Sequence, residues 1–148
     1  MPIDISWYVP QRVISMRSYG DITIDDTIAA NHQLITLFDS GIPLIHTLVD
    51  QTELKHFPIS LNDLLDSLSV LAHPELGWTV VYGKPNKLAD FIGGMIARMA
   101  RVRYRKFNSK MAAINFLVDQ DSSLRSALAV GQSTSYPLRR SGWQETSR

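Results

Sequence analysis

The 148-residue sequence contains no cysteine. Disulfides, thiolate metal sites and cysteine nucleophiles are therefore excluded, and a reducing cytoplasm is the expected location. No apolar run approaches the ~18 residues that a membrane-spanning helix needs. Residues 1–7 carry Asp4 and no basic flank, so no signal peptide is expected. The glycine phrases of nucleotide-binding loops are missing, as are the G-x-S-x-G elbow and the H-E-x-x-H zinc motif. The four histidines, His32, His46, His56 and His73, are scattered, and no carboxylate cluster accompanies them. No nucleophile, base and orienting group assemble, so the expectation is a protein that is not an enzyme and needs no cofactor or metal.

The chain does have an ordinary globular composition, 45% hydrophobic and 20% charged. Its charge is segregated. Residues 1–83 hold three basic and ten acidic side chains, whereas residues 84–148 hold twelve and four. The basic half is densest from Arg98 through Arg101, Arg103, Arg105 and Lys106 to Lys110. Such asymmetry fits an anionic partner, or two ends that complement each other within one chain or across a homodimer. No helix-turn-helix or RNA-recognition signature accompanies the cluster. The spacing of Tyr104 and Phe107 fits a sheet core, so specific nucleic-acid binding is not expected.

The hydrophobic pattern alternates between periods of two and 3.6. Residues 5–9 and 13–16 read as an opening hairpin. Thr23 and Asp26 form a capping box before a helix with Ile24, Ile28, Ile35 and Phe38 on its apolar face and Leu34 and Leu37 beside it, ended by Gly41. Residues 43–49 read as a strand buried on both faces and closed by Asp50. Residues 51–58 read as a polar loop. A second capping box, from Ser60 to Asp63, opens a helix striped with Leu61, Leu64, Leu65, Leu68 and Leu71. Residues 78–82 are a strand ending at Gly83. Lys84-Pro85-Asn86 then opens a helix with Leu88, Phe91, Ile92, Met95, Ile96 and Met99 on its apolar face. Residues 101–107 alternate as an edge strand, and Ser109 caps a last helix carrying Ala113, Phe116 and Leu117. The periodic pattern weakens from Asp119, and residues 131–148 read as a Ser/Thr-rich tail. An α/β domain over residues 1–118 is expected, followed by a helix extension and tail over 119–148. Helices between strands imply right-handed crossovers and a mostly parallel sheet, with one antiparallel N-terminal edge strand and about four helices.

That order, with four local phrases, resembles the SpoIIAA-like branch of the STAS superfamily, the sulfate-transporter and anti-sigma-factor-antagonist fold. The phrases are Tyr19-Gly20-Asp21-Ile22-Thr23, Leu48-Val49-Asp50, Gly77-Trp78-Thr79-Val80-Val81-Tyr82-Gly83, and Val102 to Phe107 followed by Ala113 to Leu117. The resemblance implies a small cytoplasmic, non-enzymatic module that binds a partner protein or a small ligand. The phosphoacceptor signature of phospho-switched STAS domains is missing. At the corresponding place stands Pro58-Ile59-Ser60-Leu61, which lacks the Asp and the Gly of that signature, and the expected capping box already accounts for Ser60.

In an open α/β sheet, ligands gather outside the carboxyl ends of the parallel strands. Two such ends are candidate sites. Gly83, Lys84, Asn86 and Lys87 combine a glycine, a helix start and two cations, the parts of an anion site. The other end offers Asp50, Thr52 and His56. There Asp50 either ties down its loop or, in a minority enzymatic reading, works with His56. A further reading is a carrier of an apolar or amphipathic small molecule, with a pocket lined by Phe91, Ile92 and Met95. Ala89, Gly93 and Ala97 form a small-residue stripe for close packing onto the sheet, a ligand or a second subunit. Leu124, Leu128, Tyr136, Leu138 and Trp143 are the groups that would anchor the tail to its own domain or to a second copy.

Overall fold

The computed structural model describes residues 2–56, 73–83 and 87–128, apart from the side chains of Leu88, Ala89, Ile92, Met99 and Ala100. The chain runs β1 (Ile3–Val9), β2 (Val13–Asp21), α1 (Ile24–Ser40), β3 (Ile45–His56), β4 (Leu76–Tyr82), α2 (Lys87–Ala100), β5 (Arg103–Phe107) and α3 (Lys110–Gln120). Residues 124–128 add a helical segment. The strands form one sheet in the order β1-β2-β3-β4-β5. β1 is antiparallel to β2, and every later pair is parallel. The expected mixed sheet with an antiparallel edge is the observed one. The expected helix over residues 61–71, with the Ser60 cap, lies outside the described residues, as do Tyr136, Leu138 and Trp143.

Local signals place the helix starts. The Thr23 hydroxyl accepts the Asp26 N–H, and the Asp26 carboxylate accepts the Thr23 N–H. Ser109 caps α3 in the same way, its hydroxyl accepting the Ala112 N–H. Each cap satisfies donors that the first helical turn leaves free.

Two apolar layers cover the sheet. On one face Val13, Leu48 and Val80 pack under Ala113 and Leu117 of α3, with Phe116 beside them. Leu124 completes this cluster at 0% exposure, so the core reaches past residue 118. On the other face Ile14 and Ile45 pack against Leu34 and Phe38 of α1.

Four sequence expectations are corrected. β3 does not close at Asp50. Residues 51–56 continue it and pair with Tyr19, Gly20 and Asp21 of a β2 that is itself longer than expected. Polar side chains made this exposed half read as loop. On α1 the buried face is Ala30, Asn31, Leu34 and Phe38, whereas Ile28 is exposed. On α2 the sheet takes up Gly93, Ile96 and Ala97. Phe91 stands about 200° round the helix from Gly93 and is 62% exposed. It therefore lines neither core nor pocket. Finally, α3 ends at Gln120: Asp121 caps it, its N–H bonding the Leu117 carbonyl, and residues 124–128 form a separate helical segment.

Candidate functional site

Both sequence-derived sites lie at the carboxyl ends of the parallel strands. β3 carries one extra residue against β2 between the pairs Arg17–Asp50 and Tyr19–Glu53. This bulge is held by Asp50, whose Oδ1 accepts the Thr52 N–H at 2.8 Å. Tyr82 is bonded to the same carboxylate, and its phenol is pushed up to about 12 by burial and by the Asp50 charge. Gly83 closes over the bulge at φ +144, and a Cβ there would lie 2.8 Å from the Thr52 nitrogen. Its missing side chain serves close approach of two strands, and the same backbone conformation disfavours any L side chain. Asp50, Thr52, Tyr82 and Gly83 thus lock a strand irregularity.

His56 is remote from this lock. It follows Asp50 by six residues along β3, about 20 Å at ~3.3 Å per residue. Its side chain is 80% exposed and bonds Asp21 through Nδ1. Asp50 and His56 therefore do not share a cleft. Lys87 is exposed at the start of α2. Lys84 and Asn86 lie outside the described residues. Among the described residues no group of three or more His, Asp or Glu side chains could hold a metal ion, and no helix is long and apolar enough to cross a membrane.

A second feature lies at the opposite, amino ends of the strands. His46 is 2% exposed within β3. β4 carries one extra residue there, between the pairs Ile45–Leu76 and Thr47–Thr79. The irregularity aims the Trp78 N–H at His46 Nδ1, 2.9 Å away. Nδ1 is therefore the acceptor, and Nε2 carries the hydrogen it donates to Asp121 Oδ2 at 3.0 Å. Arg12 bonds the same oxygen at 2.8 Å and the Ser123 hydroxyl at 2.9 Å. Burial lowers the His46 pKa below its ordinary value, with Asp121 acting in the opposite sense. Burial also resists ionisation of Asp121, but hydrogen bonds from Ser123 and His46 and the Arg12 charge outweigh it and hold the carboxyl low. The imidazole is neutral, saturated and enclosed, which makes it a structural clamp.

Among the described residues, a space suited to a ligand lies between the sheet and the helices α1 and α2. A cavity of about 170 Å³ opens there. Leu34, Val49, Val81 and Ile96 supply apolar wall, while Ser18, Asn31, Thr47 and Thr79 add hydrogen-bonding groups. Thr47 and Thr79 are paired neighbours on β3 and β4, and Tyr104 follows Thr79 on β5. Gly93 is the reason α2 sits close to the sheet: a Cβ there would meet the Tyr104 hydroxyl at 3.1 Å. Gly93 and Ala97 of the small-residue stripe thus turn inward, onto the sheet and the cavity. The sequence placed a pocket under this helix with Phe91, Ile92 and Met95; Phe91 is exposed, Met95 does not line the cavity, and the Ile92 side chain lies outside the described residues. The inward face of small residues was the signal to follow.

No family model matches the chain, and no curated protein matches it. Among solved structures it is similar to that of an uncharacterized protein of the DUF3478 family with a SpoIIAA-like fold from Shewanella loihica PV-4. That match has a TM-score of 0.56 and 21% identity, covering 78% of this chain and 91% of the other. It is also similar to the anti-sigma factor antagonist SpoIIAA in its unphosphorylated form, with a TM-score of 0.48 and 10% identity over 74% of this chain and 91% of that one. The chain is an α/β domain of SpoIIAA-like fold, as the order of its phrases implied.

Proposed function

We propose that this protein is a non-enzymatic, cytoplasmic binding module of STAS-like type, and that its ligand site is the cavity between the sheet and α1 and α2. The cavity is the observation that carries the reading. It is largely apolar, is bounded by two helices and five strands, and holds a few polar groups at fixed places, the composition expected of a small-molecule site. Its volume of about 170 Å³ is below the ~300 Å³ at which drug-sized pockets begin. The ligand is therefore small, or only part of it enters. An apolar or amphipathic molecule satisfies both the walls and the hydroxyls of Thr47 and Thr79, which favours a carrier over a phosphorylation-controlled antagonist.

The enzymatic reading loses its support where Asp50 is occupied by Thr52 and Tyr82 and His56 lies far along the strand. Native mass spectrometry of the protein purified without detergent tests the proposal. A co-purifying small molecule released on denaturation is the expected result. A bare chain that also takes up no fatty acid or sterol in titration would overturn the ligand-site reading.

A further inference from the structure

β5 forms an edge of the sheet, bonded to β4 on one side and to no strand on the other among the described residues. Such an edge offers a row of backbone donors and acceptors to an incoming strand. Its side chains have a marked polarity. From Arg98 to Lys110 inclusive stand six basic residues and no acidic one. Lys106 is paired to Asp90 at 2.5 Å, and Lys110 lies over the Tyr8 ring. Arg103 and Arg105 are exposed, point to the same face, and have no acidic partner among the described residues. Arg105 rests on the Phe116 ring, which fixes the direction of its charge.

We infer that β5 is a docking edge for an extended acidic segment of a partner protein, which adds as a further strand. The alternation decides the class of partner. Arg103 and Arg105 are two residues apart on one face, so acidic residues at alternate positions of an added strand stand opposite them, each pair contributing favourably. A second copy of β5 would set arginine against arginine and is disfavoured. Nucleic acid would want aromatic side chains free to stack on bases. Here Tyr104 turns inward under Gly93, and Phe107 packs on Phe116. The mode is strand addition, in which backbone bonds give affinity and side-chain charge gives selectivity.

The probe is a synthetic peptide, Glu-Val-Glu-Thr-Glu-Val-Glu, titrated into the full chain and followed by amide NMR. Saturable shifts over residues 103–107, with slowed amide exchange there, are expected. The Arg103→Glu/Arg105→Glu variant, both positions being exposed, should bind at least about tenfold more weakly and prefer the Lys-for-Glu peptide. Three results would overturn the inference: no saturable binding, shifts confined to β1, or equal affinity for the acidic and basic peptides. Tighter binding of a uridine oligonucleotide than of the acidic peptide, lost in the same variant, would assign the arginines to nucleic acid instead.

Discussion

His46 Nε2 donates to Asp121 Oδ2 across 3.0 Å, joining two residues 75 positions apart in the chain. Arg12 reaches the same carboxylate from the β1–β2 turn. One carboxylate therefore ties the turn of the hairpin, the start of β3 and the end of α3 together. Next to this knot Leu124 enters the core.

Gly77 makes room for the knot. A Cβ at this position would stand 2.6 Å from His46 Nδ1. Gly77→Ala should destabilise the protein by about 1–3 kcal/mol through overpacking and loss of the Trp78 bond. Denaturant unfolding measures this; an unchanged midpoint would refute the clamp.

Stability should fall in acid. His46 and Asp121 both have pKa values lowered by folding, so the unfolded chain binds more protons as pH drops. The contribution of His46 is complete above its ordinary value of 6.5 and is lost as pH falls through and below it. Asp121 adds a further loss below 3.8. Unfolding at pH 7.5 and pH 5 should differ in the wild type. His46→Asn, whose amide oxygen replaces the Nδ1 acceptor, should remove the His46 share of the difference.

Leu124→Ala should cost about 2–5 kcal/mol, the range for a fully buried leucine. A loss below about 1 kcal/mol would place residues 121–128 outside the core.

Phe91→Ser should change stability by no more than about 0.5 kcal/mol, because the ring is exposed. A large loss by thermal unfolding would restore Phe91 to the core.

The contrast between these residues explains what was legible in the sequence. Caps are local: Thr23 with Asp26, and Ser109 alone, announce helices within four residues. Continuous apolar runs such as those around Leu48 and Val80 announce buried parallel strands. Residues 51–56 do not, because their strand partner, β2, is what makes them a strand. Helix α2 is apolar at many positions, so periodicity cannot choose a face; the choice falls to Gly93 and Ala97, which allow close approach. The His46–Asp121 bond leaves no periodic trace. At the strand ends, Asp50 and Gly83 were visible as unusual residues, and their service to a bulge emerges only from strand register.

The most direct test of the cavity as the binding site is a calorimetric titration of the wild type and Ala97→Leu with decanoate, a small amphipathic probe. Ala97 lines the cavity, and the larger side chain fills part of it. Saturable wild-type binding, weakened at least about tenfold in a variant that still unfolds cooperatively, is the predicted result. Equal affinity in the two proteins, or no wild-type binding, would contradict the account.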